Sequence, residues 1–274
     1  YEDAIQQMAD YCAQVMGMGK TRMRIVYDTS EGDETFTLLV ATMSAAQQFT
    51  DLFTRQVMLG QKADGQVEGS DEEEAQDAQP EIADDMKIAV YFPDTGTAAL
   101  AARDWKLGTE EALVPPCVRL AAIGDRTQPE DKAYIIVCPR SPEAVGVEKL
   151  MAEVDESVPM VLWNPDLINM DVTGYGVVGR GFRTRVLDVL TDSYYLRTLA
   201  WGAVAKQGPL RPFSLWQADE SREEGYRLIR TFDQEPSGMD CQDAFDIANG
   251  LEEEKTTPGF VNFLGDLVSG LQKL

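Results

Sequence analysis

The apolar positions of this chain follow two periods that change over near residue 190. Up to that point, helix-spaced stripes alternate with short apolar runs. Residues 4–16 place Ile5, Met8, Cys12, Val15 and Met16 on one face of a helix that Gly17 and Gly19 stop. Arg22–Tyr27 is rich in β-formers and is the first predicted strand, with a turn over 28–33. From Thr35 to Met58 the stripe Phe36, Leu39, Val40, Met43, Ala46, Phe49, Phe53 and Val57 predicts a long helix. Met86–Phe92 reads as the second strand, and Pro93–Gly96 turns it into an alanine-rich helix over Thr97–Trp105.

Val118–Ile123, Tyr134–Cys138 and Pro159–Trp163 are apolar runs short enough to be strands buried on both faces. Between the last two, Ser141 is the expected helix cap and Pro142 the first helical residue, with Val147, Leu150, Met151 and Val154 on the inner face. Pro165 cannot donate to a ladder, so the chain is expected to leave the sheet at Asn164. Four glycines follow, Gly174, Gly176, Gly179 and Gly181, and Val178, Phe182, Val186, Val189 and Leu190 recur behind them at helical spacing.

Beyond residue 190 the period becomes two. Tyr194–Leu199, Gly202–Lys206, Phe213–Gln217 and Tyr226–Phe232 are predicted strands separated by turn signals, expected to be antiparallel neighbours. Phe260, Phe263, Leu264, Leu267, Leu271 and Leu274 then form one side of an amphipathic helix entered at Thr257 and Pro258. The pattern as a whole predicts an α/β fold with a mixed sheet, parallel and of βαβ type in its N-terminal part, continued by antiparallel strands and with helices on both faces. The expected organisation is a single domain over 1–274, with an acidic disordered insertion at 63–86 and a C-terminal amphipathic helix at 258–274.

Charge changes this picture. The chain has 274 residues, with 47 acidic side chains against 24 basic ones and a formal charge of −23. That field opposes binding to phosphate backbones and to anionic lipid surfaces, so nucleic acid is an unfavourable partner. Ten carboxylates fall between Asp64 and Asp85 without a Lys or Arg, yet the remainder is still acidic. No apolar run approaches the roughly 18 residues of a membrane-spanning helix. Starting at Tyr1 rather than Met, the chain reads as a processed form or a fragment.

The absence of histidine excludes imidazole bases, histidine triads and HExxH zinc sites. Cys12, Cys117, Cys138 and Cys241 lack CxxC spacing and are expected to be reduced. No cluster has metal-site spacing, and no cofactor is expected. Trp105, Trp163, Trp201 and Trp216 are read first as core and second as a partner surface.

Gly174-x-Gly176-x-x-Gly179 literally satisfies the dinucleotide fingerprint, but ten residues separate Gly174 from the end of the strand at Trp163. The fingerprint requires its first glycine in the turn directly after the strand, so this match carries little. More informative are Arg180, Arg183 and Arg185, set in early helical turns where the dipole disfavours cations. Either Asp166 or Asp171 folds back onto Arg180 or Arg183, or a bound anion or acidic partner compensates them. Asp94 is read as a helix cap, Arg103 and Asp104 as a charge pair, and Asp125 and Arg126 as turn residues. Strand ends in open α/β sheets also gather ligands. The candidate partner- or anion-binding positions are therefore Asp94, Arg103, Asp104, Asp125, Arg126, Asn164, Asp166, Gly174, Tyr175, Gly176, Arg180 and Arg183, with none assigned as catalytic.

Three pieces carry a family resemblance: the run Phe92–Trp105 (FPDTGTAALAARDW), Asn164-Pro-Asp-Leu167 with Thr173-Gly-Tyr-Gly176, and Gly225–Ile229 with Pro236-Ser-Gly238. In that order they resemble the chloroplast family known as domain of unknown function 1995, from which this chain departs by its acidic insertion. The resemblance implies a non-catalytic stromal factor that assists assembly of a photosystem II core antenna protein at the thylakoid surface. Its implied partner is a photosystem subunit, or an assembly or insertase protein with basic stromal loops, reached without direct membrane insertion. Family members also include a domain attached to a chloroplast adenylate kinase. The competing reading is a nucleotide- or phosphometabolite-binding α/β protein, possibly an enzyme, that uses the strand ends near Asp94, Asp125 and Asn164 together with Arg180 and Arg183.

Overall fold

A computed structural model describes residues 2–27, 35–60, 86–168 and 176–251. The expected acidic insertion, apart from Met86, and the expected terminal helix at 258–274 lie outside these residues, as do Asp171, Gly174 and Tyr175. The chain divides into two compact units, Tyr1–Arg211 and Pro212–Leu274.

In the first unit the elements run α1 (Glu2–Gly17), β1 (Arg22–Tyr27), α2 (Thr35–Leu52), β2 (Lys87–Phe92), α3 (Thr95–Asp104), β3 (Val118–Ala122), β4 (Asp131–Val137), α4 (Ala144–Glu153), β5 (Met160–Trp163), α5 (Gly176–Phe182), β6 (Thr191–Leu199) and β7 (Gly202–Gln207). The strands lie in the order β3-β2-β4-β5-β1-β6-β7. All pairings from β3 to β6 are parallel, and β6 runs antiparallel to β7. The mixed α/β sheet expected from the pattern is the one observed. One strand does double duty: β6, read as the first of an antiparallel set, is antiparallel only to β7 and parallel to β1.

Alternation along the strands builds two cores. Met23, Ile25, Ile88, Val90, Phe92, Ile135, Val137, Val161 and Trp163 face one side, covered by Met8 and Cys12 of α1, Phe49 of α2 and Ala101 of α3. Ala89, Tyr91, Tyr134, Ile136, Met160 and Leu162 face the other, covered by Val147 and Leu150 of α4 and by Phe182 and Val186. Such continuous apolar runs are what strands buried on both faces require. Gly146 lets α4 approach the end of β3, because a Cβ there would meet Ile123 Cγ2 at 2.5 Å.

The long helix expected over Thr35–Met58 is α2 continued by a π-helical turn at Phe53–Met58, where Leu59 N–H donates to Thr54 O at 2.9 Å. A second π-turn, Arg183–Leu187, extends α5. Ser141 is not the cap. Arg140 takes that place, its N–H donating to Glu143 Oε2 at 2.9 Å, and Ser141–Glu143 form a 3₁₀ turn ahead of α4. The Glu143 carboxylate thus satisfies the N–H of the cap residue Arg140, a different donor from the first-turn N–H that a serine hydroxyl at the cap would serve. All four cysteines are free and buried. Burial pushes the Cys12 thiol up to about 12 against a partly offsetting bond from Ser193, and raises Cys138 to about 11.

The second unit contains the antiparallel pair β8 (Phe213–Ala218) and β9 (Tyr226–Phe232), followed by α6 (Gly238–Asn249). Ser237 and Asp240 cap each other reciprocally at the start of α6, and Gly250 ends it in the left-handed conformation at φ 65°. No helix among the described residues is long and apolar enough to cross a membrane.

Candidate functional site

β1 feeds α2 on one face of the sheet and the neighbouring β5 feeds α5 on the other, so their C-terminal ends mark the switch point at which open α/β sheets generally collect ligands. Asn164 stands there, buried and left-handed at φ 47°. Its N–H donates to Ile25 O at 2.8 Å. Its side chain takes over from the ladder, with Oδ1 accepting from Tyr27 N–H at 2.6 Å and Nδ2 donating to Tyr27 O at 2.9 Å. Two residues on, Asp166 N–H donates to Pro139 O at 2.9 Å and its carboxylate accepts from Arg140 Nη1 at 2.7 Å. The Asn-Pro-Asp-Leu piece thus clasps the exits of three strands, β4, β5 and β1, with Leu167 buried beneath it. Asp166 does not fold back onto Arg180 or Arg183, because Arg140 already holds it.

The Phe92–Trp105 piece is also structural. Phe92 meets Trp105 edge to face at 5.7 Å. Asp94 caps α3, accepting from Thr97 N–H at 2.9 Å and from Thr97 Oγ1 at 2.7 Å. These bonds hold its carboxyl below the usual carboxylate range. A depressed native pKa means that the cap's contribution is complete above the unfolded value of about 3.9 and is lost as pH falls through the lower native one. Asp94→Ala is expected to cost about 1 kcal/mol at neutral pH, a difference from wild type that shrinks on acidification, as urea unfolding at several pH values will read. Arg103 and Asp104 pair with each other at 2.7 Å on the surface.

Asp125 closes its turn by accepting from Ala122 N–H at 2.8 Å, and Arg126 O accepts from Tyr91 OH at 3.3 Å. With Lys149 and Glu153 of α4 they line a cavity of about 290 Å³. A larger groove, about 890 Å³, opens at the N-terminal ends of β5, β1 and β6, between Lys20, Arg22, Glu148, Met151, Arg185 and Asp188. Arg22 there is committed to the backbone oxygens of Val154, Asp155 and Val158.

Gly176 opens α5. Arg180 and Arg183 are exposed and have no ion partner among the described residues, whereas Arg185 pairs with Glu148. An exposed cation of this kind contributes little to folding, so Arg183→Ala is expected to change stability by less than about 0.5 kcal/mol in thermal unfolding. A larger loss would mean that Arg183 has a buried carboxylate partner.

One feature had no place in the sequence reading, and a second entered it only through Trp216. On the α4 side of the sheet, Arg119 Nε donates to Asp131 Oδ1 at 2.6 Å, and its Nη2 bonds both Asp131 Oδ2 and Tyr91 OH. Gln128 N–H and Tyr134 OH also donate to Asp131, at 2.8 and 3.3 Å. No buried side-chain polar atom of Tyr91, Arg119, Asp131 or Tyr134 lacks a hydrogen-bond partner. Burial opposes the charge on Arg119, but its bonds to Asp131 and Tyr91 win and raise its pKa. Burial and the Asp131 charge raise Tyr134.

The other feature is the outer face of the second unit. Asn249 of α6 bonds Gln217 and Arg227, at 3.1 and 2.8 Å, and so covers one face of the β8–β9 pair. On the alternate positions Trp216 pairs with Leu228 and Ala218 with Tyr226. Trp216 is 36% exposed, Leu228 47% and Tyr226 50%. The stretch Pro212–Leu251 that carries these apolar side chains holds nine carboxylates against three arginines. An apolar face within a polar rim is the anatomy of a protein-binding surface.

Neither the curated proteins nor the solved structures contain a match to this chain. A model of the family described as domain of unknown function (DUF1995) matches residues 1–243. That span includes the Asn164 clasp, the capped α3 and the exposed β8–β9 face, and on it the chain belongs to the DUF1995 family.

Proposed function

We propose that the protein is a non-catalytic assembly factor of the chloroplast stroma that holds a photosystem II core-antenna subunit, or its insertase, through a basic stromal segment at the thylakoid surface. Family membership supports the setting. The observation that carries the mode of binding is the Trp216, Tyr226 and Leu228 face on an acidic unit, which matches an amphipathic segment with lysines or arginines on its polar side. Aromatic anchors supply affinity, and carboxylates such as Glu220, Glu223 and Glu224 select positive charge and speed encounter.

The test is a titration of the full chain with a synthetic amphipathic peptide bearing lysines on its polar face. Binding is expected to weaken as salt rises, because charges are screened beyond about 8 Å at physiological ionic strength. Leu228→Asp is expected to reduce affinity more than about tenfold. Membrane attachment then goes through protein: the chain stays in the supernatant with anionic liposomes, sediments with thylakoids, and is lost from protease-shaved membranes. Sedimentation with protein-free liposomes, or peptide binding indifferent to Leu228→Asp, would overturn the proposal. Tight ATP binding in calorimetry would instead favour a nucleotide-binding protein.

A further inference from the structure

We infer that the cavity at the exit of β3 is a binding site for a compact phosphomonoester, with Arg126 and Lys149 as the side chains that hold its phosphoryl group. The site lies wholly within the first unit and uses no residue of the partner surface proposed above.

The argument begins with position and rigidity. β3 runs parallel to β2, so the loop that follows it lies at the C-terminal side of the sheet, where α/β folds take up ligands. Two sets of bonds fix that loop. Asp125 N–H donates to Ala122 O at 2.9 Å, and Asp125 Oδ2 accepts from Ala122 N–H at 2.8 Å. Arg126 O accepts from Tyr91 OH, which Arg119 bonds in turn at 3.3 Å, so the loop is tied to the buried Asp131 cluster. The facing wall is α4, where Gly146 carries no side chain to displace Ile123 and Lys149 follows on the same wall. A cavity built this way keeps its shape without a ligand, so binding spends little on ordering.

Charge decides what the cavity takes. Asp125, Arg126, Lys149 and Glu153 all line it, but Asp125 already serves the turn and Lys149 Nζ pairs with Glu153 Oε1 at 3.6 Å. The Arg126 guanidinium has no hydrogen-bond or ion partner among the described residues, and neither has the Thr127 hydroxyl beside it. The Lys149–Glu153 pair is exposed and four residues apart on one helix, a weak pair that yields its lysine to a stronger acceptor. An incoming oxyanion therefore finds a fork of guanidinium donors, an ammonium and a hydroxyl. The net charge of −23 opposes it only at long range, because charges beyond about 8 Å are screened at physiological ionic strength. Size sets the rest. A cavity of about 290 Å³ has the volume of roughly ten waters at ~30 Å³ each, which suits a phosphoryl group on a short carbon body and does not enclose a nucleotide.

An NMR titration of the isotope-labelled full chain at constant ionic strength tests the site, with inorganic phosphate and then glycerol phosphate as probes and the Gly124 and Gly146 amides as reporters. Saturable shifts in the millimolar range are expected, with the ester binding at least about threefold more tightly than phosphate. Arg126→Ala is expected to weaken both probes at least about tenfold, and Lys149→Ala about threefold, because the guanidinium offers a fork of donors and the lysine a single charge. Arg183→Ala removes an exposed cation that does not line the cavity and is expected to bind as the wild type does. Shifts that do not saturate, an affinity unchanged in Arg126→Ala, or shifts centred on Arg180 and Arg183 of the α5 region overturn the inference. An ester that binds no tighter than phosphate, or ATP that moves the same two glycines at higher affinity, overturns the assignment to a small phosphomonoester.

Discussion

Arg119→Ala is expected to be the most destabilising single change among the charged residues, by about 3–5 kcal/mol. The Asp131 side chain has no exposure and Arg119 only 17%, so removing the guanidinium strands a carboxylate that water cannot reach. For the first unit's size this is a fall of roughly 6–20 °C in melting temperature, at 2–4 °C for each kcal/mol. The double variant Arg119→Ala with Asp131→Ala is expected to recover part of the loss, because the cost lies in the orphaned charge more than in the pair itself. If the single variant melts within a degree of wild type, the cluster is not held as described.

This cluster also marks the limit of what the sequence discloses. The continuous apolar runs Ile88–Phe92 and Ala133–Val137 were legible, because a strand covered on both faces must be apolar at every position. Arg119 inside β3 and Asp131 at the head of β4 broke that rule twice, twelve residues apart. Each alone reads as a loop or an edge residue. Only the third dimension makes them one site.

The helix α6 was missed for a different reason. Ser237 with Asp240 three residues later, and Gly250 at the far end, are sound start and stop signals. Between them only Cys241 and Ala244 are buried, so the apolar stripe that would have announced the helix is faint. β6 was legible as a strand but not in its pairing, since period two says which face is buried and nothing about the direction of the neighbour.

The candidate site residues were legible as positions more than as roles. Strand ends were correctly located by Pro93 and Pro165. The readings of Asp94 as a helix cap and of Asp125 as a turn residue hold; what the sequence did not reveal is that Asn164 and Asp166 give their side chains to the Tyr27 backbone and to Arg140. A polar residue after a strand serves a ligand or a turn with the same chemistry, and only the local geometry tells which.

Asn164 gives the sharpest test of that distinction. Asn164→Ala removes two bonds to Tyr27, worth about 1 kcal/mol each net, and places a Cβ residue without side-chain compensation at φ 47°, a further 1–2 kcal/mol. A loss of about 3 kcal/mol is expected, or roughly 6–12 °C in melting temperature. Asn164→Gly, free of the conformational strain, is expected to lose about 2 kcal/mol. Asn164→Asp keeps the acceptor for Tyr27 N–H but turns the other oxygen, unprotonated, toward the Tyr27 carbonyl. Burial and that carbonyl raise the pKa of the introduced carboxyl above its unfolded value, so the folded state binds the extra proton. Relative to wild type the variant therefore gains stability as pH falls through the raised native value, when the protonated group again donates as the amide does. Had Asn164 served a ligand instead, Asn164→Gly would melt with the wild type, Asn164→Ala would lose only the roughly 1–2 kcal/mol of its left-handed backbone, and Asn164→Asp would show no recovery in acid. A Gly variant that loses about 2 kcal/mol, together with an acid-recovering Asp variant, is the signature of a clasp between β1 and β5.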